Sequence, residues 1–207
     1  MRKLLLSAAA WALATSVALA QVNVVPSPGL VTQNLRQQTY SAISVGLVPA
    51  ASATDIACIA ASSTKNIYVK AVFIGGTAGT AITIPVILLR RNTALDSGGT
   101  AATGLALPVG APNYFTNGTA SATLTAYTAN PTVNDASPSY LRAGILALPT
   151  SGATIAQQQL FYFGTDVENF DQEILLAKGS TQQMCVNLNG STFSTGSLSI
   201  TFEWTEQ

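Results

Sequence analysis

The chain contains no histidine among its 207 residues. Histidine is the commonest general base and metal ligand near neutral pH. Its absence excludes Ser-His-Asp and Cys-His catalysis, and it excludes zinc sites that use imidazole ligands. We therefore expect a protein without catalytic residues, bound cofactor or metal site.

Charged side chains are also scarce, since Asp, Glu, Lys and Arg together make up 9% of the residues. Without Arg2 and Lys3 near the N-terminus, seven basic residues remain against nine acidic ones, a net charge of −2. Such a chain cannot release many counterions from nucleic acid, and it has no polybasic patch for anionic membranes. Little like-charge repulsion opposes contact between copies. We expect a homo-oligomer or a larger protein assembly, with no nucleic-acid partner.

Residues 1–20 have the three-part layout of a secretory signal peptide. A basic start, MRK, precedes an apolar run that ends in ALA immediately before Gln21. The run is marginal for a membrane span, which needs about 20 apolar residues; an N-terminal anchor helix is the alternative. We expect export to the periplasm, the exterior or a particle, with no membrane association after cleavage.

Long amphipathic helical patterns are absent, and short alternating runs lie between turn residues instead. The clearest run places four predicted core anchors on one face, the period-two signal of a strand: Leu198, Ile200, Phe202 and Trp204. Similar runs predict ten strands in total: Tyr40–Val48, Thr54–Ala60, Asn66–Ile74, Ala81–Arg90, Ala120–Thr128, Tyr140–Leu148, Ile155–Phe163, Glu173–Ala177, Thr181–Asn189 and Ser197–Thr205. Short connections between them predict an all-β fold, a jelly-roll-like antiparallel β-sandwich, as one domain over residues 40–207.

Four segments depart from this regular pattern. Pro85 lies inside the run Ala81–Arg90, and because proline cannot donate to a ladder, it predicts an edge strand or a bulge. Residues 91–119 are rich in glycine and predict a surface loop suited to binding. Residues 21–39 predict a short helix or an extended N-terminal arm, which could add to a neighbouring subunit's sheet. Gly75–Gly79 predicts a hairpin connection, since the lysine and helix of a phosphate loop are missing.

The two cysteines, Cys58 and Cys185, are candidates for a disulfide, because an even count in an exported protein suggests one. The run around Cys185 has Met184, Val186 and Leu188 on its apolar face, so Cys185 points away from the core. The face of Cys58 is ambiguous, and two unpaired cysteines are the alternative. A catalytic thiol would need a nearby base, which a chain without histidine does not readily supply.

Four of the nine acidic residues fall within eight positions, at Asp166, Glu168, Asp171 and Glu173. Hard cations such as Ca²⁺ take several carboxylate oxygens, and paired carboxylates act in glycoside hydrolysis. The spacing does not match an EF-hand loop, and proximity within one loop is no evidence of a glycosidase. We interpret the cluster as a solvated loop.

Two further features have simple structural interpretations. Arg90 and Arg91 end an apolar strand; they could contact a partner's carboxylate, but we favour charges that solubilise a strand end. Asn117-Gly118-Thr119 and Asn189-Gly190-Ser191 match the glycosylation sequon, and Asn-Gly also favours tight turns. We predict turns at both, with the last two strands of the chain forming an antiparallel pair joined by a polar turn.

Four stretches form a series in chain order: Tyr40–Lys65, Ile84–Thr100, Thr123–Thr132 and Val186–Glu206. Together they resemble a widespread family of small phage and prophage-encoded proteins, over most of residues 40–207. The shared motifs are turn and strand patterns. The resemblance implies a β-rich, non-enzymatic structural component, such as a capsid decoration, fibre or tail-associated protein, and it brings no catalytic residues.

These observations lead to three hypotheses. The first is a non-enzymatic structural or assembly protein related to phage particle components, exported and self-associating. The alternative is a secreted bacterial surface-binding module that recognises a glycan or a protein through residues 91–119. The third is a secreted hydrolase that uses carboxylates such as Asp166 and Glu168.

Overall fold

The computed structural model describes residues 38–98, 100–101, 106–109, 120–135, 137–152, 158–164, 172–192 and 195–207. Within these residues twelve strands form two antiparallel sheets packed as a sandwich, as the alternating runs predict. No helix in this part of the chain is long and apolar enough to cross a membrane. The predicted signal peptide and all but the last two residues of the predicted arm lie outside the described residues.

The strands are β1 (Gln38–Leu47), β2 (Ser52–Ala60), β3 (Ile67–Ala78), β4 (Ile82–Arg91), β5 (Thr100–Ala101), β6 (Ala106–Val109), β7 (Thr123–Ala129), β8 (Ser139–Leu148), β9 (Gln158–Tyr162), β10 (Ile174–Leu176), β11 (Gln183–Thr192) and β12 (Gly196–Glu206). Sheet A has the order β10-β3-β12-β1-β6, with β9 also paired to β3. Sheet B has the order β5-β7-β2-β11-β4-β8. Two short strands, β5 and β6, therefore form within the segment predicted to be an irregular loop.

Among the described strands, no two that follow each other in the chain are paired. Two predictions are wrong for this reason. Gly75 and Gly76 lie within β3, and the chain then crosses to β4 in the other sheet instead of turning back as a hairpin. The last two strands, β11 and β12, lie in different sheets and do not form a pair. All the ladders are non-local, which is the kind of topology that folds slowly.

The dipeptide Asn189-Gly190 marks a bulge, not the predicted turn between two strands. Both residues have φ angles in the left-handed region, 55° and 69°. They lie inside β11, just after the Asn187–Asp55 pair, where β11 carries more residues than the facing stretch of β2. The backbone conformation that Asn-Gly favours is present, but it interrupts a ladder instead of reversing the chain.

The edge-strand prediction from Pro85 is wrong for β4 as a whole. This strand pairs with β11 on one side and with β8 on the other. The ladder with β11 covers only Ile87–Arg91, so Pro85 lies in the half of β4 that has a single neighbour, opposite Ile145. One edge of that half has no ladder partner among the described residues, so a residue without an N–H group is tolerated there.

The core between the sheets is apolar and includes both runs singled out in the sequence. Its members from β11 and β12 are all buried: Met184, Val186, Leu188, Leu198, Ile200, Phe202 and Trp204. The ring of Trp204 stacks on that of Tyr40 with 5.9 Å between the centroids. Aromatic pairs at this separation add stability beyond the area that they bury.

A buried carboxylate, Glu206, closes one end of the core. It accepts hydrogen bonds from Nε1 of Trp204 at 3.0 Å and from both the backbone N–H and the hydroxyl of Ser121 at 2.8 Å. Nζ of Lys65 lies 3.3 Å away. Burial raises the pKa of Glu206, but the hydrogen bonds from Trp204, Ala122 and Ser121 outweigh it and hold the pKa below its usual value. The network fastens the start of β7 to the end of β12.

Candidate functional site

Cys58 and Cys185 form a disulfide, which confirms the prediction from their even number. The two residues lie directly opposite each other in the ladder between β2 and β11, with their Cα atoms 4.1 Å apart. Both sulfurs lie on the face of sheet B that points away from the core. Such a bond is typical of a non-reducing environment, in agreement with an exported protein.

A bulge in β2 decides the face of Cys58, which the alternation left ambiguous. The ladder passes from Ala57 to Asp55 against two consecutive residues of β11, so Ile56 is an extra residue. Ile56 and Ala57 consequently both point into the core. Asp55 and Cys58 lie together on the opposite face, three positions apart.

This outer face is covered by protein. Cys58 and Cys185 are 2% and 0% exposed, and they pack with Leu89 of β4 and Tyr127 of β7. Asp96, from the segment that follows β4, has its Oδ2 atom 3.8 Å from Sγ of Cys58. Because the bridged sulfur carries no hydrogen, this approach is a contact and not a hydrogen bond.

Arg91 makes a buried ion pair with Asp55. Its Nε and Nη2 atoms lie 2.6 and 2.5 Å from Oδ2 of Asp55, and the two side chains are 4% and 0% exposed. Nδ2 of Asn187 donates to Oδ1 of Asp55, and Nη1 of Arg91 donates to the carbonyl oxygen of Asp135 at 2.9 Å. The prediction that Arg91 solubilises a strand end is therefore wrong, since its charge is paired inside the protein. Arg90 is half-buried.

Asp96 completes a group of two carboxyl groups and one guanidinium. Its side chain is fully buried, with Oδ1 3.4 Å from Nε of Arg91. Burial, then a hydrogen bond with Asp55 and the negative charge of that residue, raise the pKa of Asp96 to about 7, against the opposing effects of Arg91 and Gln183. Below that pH Asp96 is protonated, and its hydroxyl can donate to Asp55. Burial and the two nearby carboxylates also raise the pKa of Tyr127.

Asp135 holds residues 92–98 over this group. Its Oδ2 atom accepts a hydrogen bond from the backbone N–H of Asn92 at 2.5 Å. Backbone hydrogen bonds, that from Asn92 foremost, keep the pKa of Asp135 below its usual value. Ser97 and Thr132 exchange two backbone hydrogen bonds, at 3.1 and 2.7 Å. This part of the predicted 91–119 binding loop is therefore fixed against the sheet as a cover.

We call Asp55, Cys58, Arg91, Asp96 and Cys185 the bridge cluster. The sequence predicted the cysteine pair, assigned Arg91 to a solvated strand end and missed Asp55 and Asp96. One signal was present, because Asp55 lies inside the apolar run TDIACIA and a charge in such a strand needs a buried partner. No spacing rule connects that run to Asp96, which lies 38 residues after Cys58.

The remaining predicted features contribute little to this site. Asp166, Glu168 and Asp171 lie outside the described residues, as does Asn117-Gly118-Thr119. Glu173 is partly exposed and pairs with Lys70 at 3.1 Å.

A second candidate site is the side of the sandwich where β8 ends sheet B and β9 and β10 end sheet A. β8 is ten residues long, whereas the strands at the other ends of the sheets, β5 and β6, have two and four residues. Edge strands are usually protected by being short or by carrying charges. β8 carries a single charged residue, Arg142, and β9 and β10 carry none. Within the described part of the chain, β8 is therefore the end strand that is neither short nor rich in charged residues.

Large apolar side chains are exposed on the strands at this side of the sandwich. Tyr140 and Ile145 of β8 are 73% and 70% exposed, and Leu160 and Tyr162 of β9 are 43% and 49% exposed. Leu175 of β10 is also exposed. We call these five residues the edge patch. Large exposed apolar side chains that lie together mark interaction surfaces.

Comparisons with protein-family models, with curated proteins and with solved structures find no match to this chain. Its own chemistry and surface are therefore the basis for a functional proposal.

Proposed function

We propose that this protein is a non-enzymatic structural component, exported and related to phage particle proteins, that assembles with copies of itself through the edge patch. The observation that carries the proposal is the ten-residue strand β8, which ends its sheet among the described residues and exposes Tyr140 and Ile145.

An edge strand offers a row of unpaired backbone N–H and C=O groups. A second copy of β8 can pair with the first in antiparallel fashion about a two-fold axis, so that sheet B continues across the interface. With the axis between Ala143 and Gly144, Arg142 of each copy lies opposite Ile145 of the other. The two arginines are then not placed directly against each other.

The apolar side chains supply part of the free energy of association. Burying the exposed portions of Tyr140 and Ile145 from both copies contributes about 4–8 kcal/mol. The loss of translational and rotational freedom on association costs about 4–15 kcal/mol. The interface therefore needs more than these four side chains, and the backbone ladder of β8 together with Leu160 and Tyr162 of the neighbouring strand β9 can supply the rest.

The remaining properties of the chain agree with a structural role. A sequence with 9% charged residues opposes self-association weakly. The disulfide joins two central strands of sheet B and suits a protein that must persist outside the cell. The resemblance to phage-encoded proteins supports a particle component. The lack of histidine and the covered position of the bridge cluster support a role without catalysis.

Light scattering coupled to size-exclusion chromatography tests the proposal. The molar mass of the wild-type protein should rise above that of one chain as concentration increases, and Ile145→Lys should return it to a monomer. Val48→Lys is the matched control, because Val48 is 52% exposed and lies outside the edge patch. A wild-type protein that stays monomeric at high concentration, or assembly that Ile145→Lys leaves unchanged, would contradict the proposal.

A further inference from the structure

The bridge cluster contains four potential metal ligands that the proposed assembly does not use. Sγ of Cys58, Sγ of Cys185 and one carboxylate oxygen each of Asp55 and Asp96 all lie within 4.8 Å of one another. Tetrahedral zinc, with bonds of about 2.0–2.3 Å, holds its ligand atoms about 3.3–3.8 Å apart. Small rotations of these side chains reach such spacings once the two sulfurs are no longer bonded to each other.

Asp96 gives a second and independent indication, because one of its buried oxygen atoms lacks a hydrogen bond. Its side chain is fully buried, yet its Oδ1 atom accepts no hydrogen bond, and Nε of Arg91 stays 3.4 Å away. A buried carboxylate oxygen that has an ion pair but no hydrogen bond is incompletely compensated. Asp96 is held in this position, because Asp135 and Thr132 fasten its segment on both sides.

We propose that the reduced chain binds one Zn²⁺ ion through Cys58, Cys185, Asp55 and Asp96, and that formation of the disulfide releases the ion. Two thiolates and two carboxylates make a four-ligand set that suits zinc better than calcium or magnesium, which prefer oxygen alone. With Zn²⁺ and the positive charge of Arg91, the site carries a net charge of −1. The bridged protein offers only the two carboxylates beside Arg91, so it holds the ion poorly.

The surroundings of Asp55 suit a metal ligand. Asn187 donates to its Oδ1 atom and Arg91 to its Oδ2 atom, so Oδ1 retains a lone pair for a metal ion. Hydrogen bonds of this kind orient a ligating carboxylate and are a regular part of metal sites. Cys58 and Cys185 lie on two paired strands of the sheet, so three of the four ligands stand on rigid structure.

The ion is released by a thiol–disulfide exchange. A small-molecule disulfide accepts two electrons from the zinc-bound thiolates and leaves as two thiols, with two protons taken from solvent. The bond between Cys58 and Cys185 forms, both zinc–sulfur bonds break, and Zn²⁺ departs. In reverse, a dithiol opens the bridge and transfers its two protons to the sulfurs, and Zn²⁺ then displaces those protons. A chain made in a reducing compartment would first be in the zinc-bound state. After export to an oxidising environment it would be in the bridged state.

Zinc titration of the full chain against a chromogenic chelator tests this proposal. The bridge is first opened anaerobically with a water-soluble phosphine, which ends as a phosphine oxide with oxygen from water while the two protons go to the sulfurs. The reduced protein should bind one Zn²⁺ per chain and the bridged protein none. Asp96→Asn should weaken binding by about 10–100-fold. Glu173→Gln is the matched control, because Glu173 is a carboxylate paired with Lys70 outside the cluster, and its affinity should equal that of the wild type.

X-ray absorption of the zinc-loaded wild type provides a readout that needs no variant to fold. It should show two sulfur and two oxygen neighbours. The proposal is overturned if the reduced chain binds no zinc, if the bridged chain binds it equally well, or if Asp96→Asn folds and binds like the wild type. A zinc environment with fewer than two sulfurs, or with sulfur alone, also overturns it.

Discussion

Replacing Asp96 with asparagine should stabilise the bridged protein at neutral pH, although the residue is buried. The pKa of Asp96 in the folded protein is about 7, above its ordinary value of 3.8. Between these two values the folded protein keeps a proton that the unfolded chain has lost, so stability falls as pH rises from about 4 to about 7. Asparagine stays neutral at every pH, and its amide can donate to Asp55 in place of the hydroxyl of protonated Asp96.

The magnitude follows from the difference between the two pKa values. Each pH unit between them corresponds to about 1.4 kcal/mol, so the full difference amounts to about 4 kcal/mol by pH 8. Because Asp96 interacts with the neighbouring Asp55, we take about 2–4 kcal/mol as the expected gain in the free energy of unfolding for Asp96→Asn at pH 8. Near pH 4 the two proteins should differ little.

Urea unfolding between pH 5 and pH 8, with a chelator and without reductant, measures this gain through the fluorescence of the buried Trp204. The range avoids the acid region, where Glu206 and Asp135 contribute stability that is lost only as pH falls through their lowered pKa values. Glu173→Gln should change the free energy of unfolding by no more than about 0.5 kcal/mol. It should leave the pH dependence of that free energy unchanged. Two results would refute the reasoning. The wild-type free energy of unfolding could stay constant from pH 5 to pH 8, or it could fall with pH by the same amount in Asp96→Asn as in the wild type.

Two further predictions concern the disulfide and the aromatic core. Replacing Cys58 and Cys185 with alanine should lower the free energy of unfolding by about 5 kcal/mol. This is the loop-closure value for a sequence separation of 127. A urea midpoint close to that of the wild type would contradict this prediction. Trp204→Phe removes the indole donor to Glu206 and should cost about 1–3 kcal/mol. Because the loss of that donor raises the pKa of Glu206, acid unfolding of this variant followed by circular dichroism should begin at higher pH than in the wild type, and an unchanged onset would argue against the role of the donor.

The sandwich follows from the sequence because alternation of side chains is a local property. The period of two around Leu198 and Trp204 is enough to predict a strand and its buried face. Which strand lies beside it is not local, since β12 pairs with β1 and β3 and neither is adjacent to it in the chain. A hairpin is the default expectation from turn residues, and this topology departs from it throughout.

The candidate sites could be predicted only where a short pattern fixes the geometry. The parity of β11 placed Cys185 outside the core, and the even cysteine count predicted the bridge. The extra residue Ile56 changed which side chains of β2 face the core, and no residue type in that run indicates a bulge. Asp96 and the edge patch depend on which distant segments meet, which is information that strand periodicity does not contain.

Hydrogen–deuterium exchange of β8 at low and high protein concentration tests the proposed assembly most directly. We predict that amides of Ser139–Leu148 exchange more slowly at high concentration, because they enter a ladder with a second copy, while those of β7 stay unchanged. If the protein assembles and exchange in β8 does not slow, the interface lies elsewhere and the account of the edge patch is contradicted.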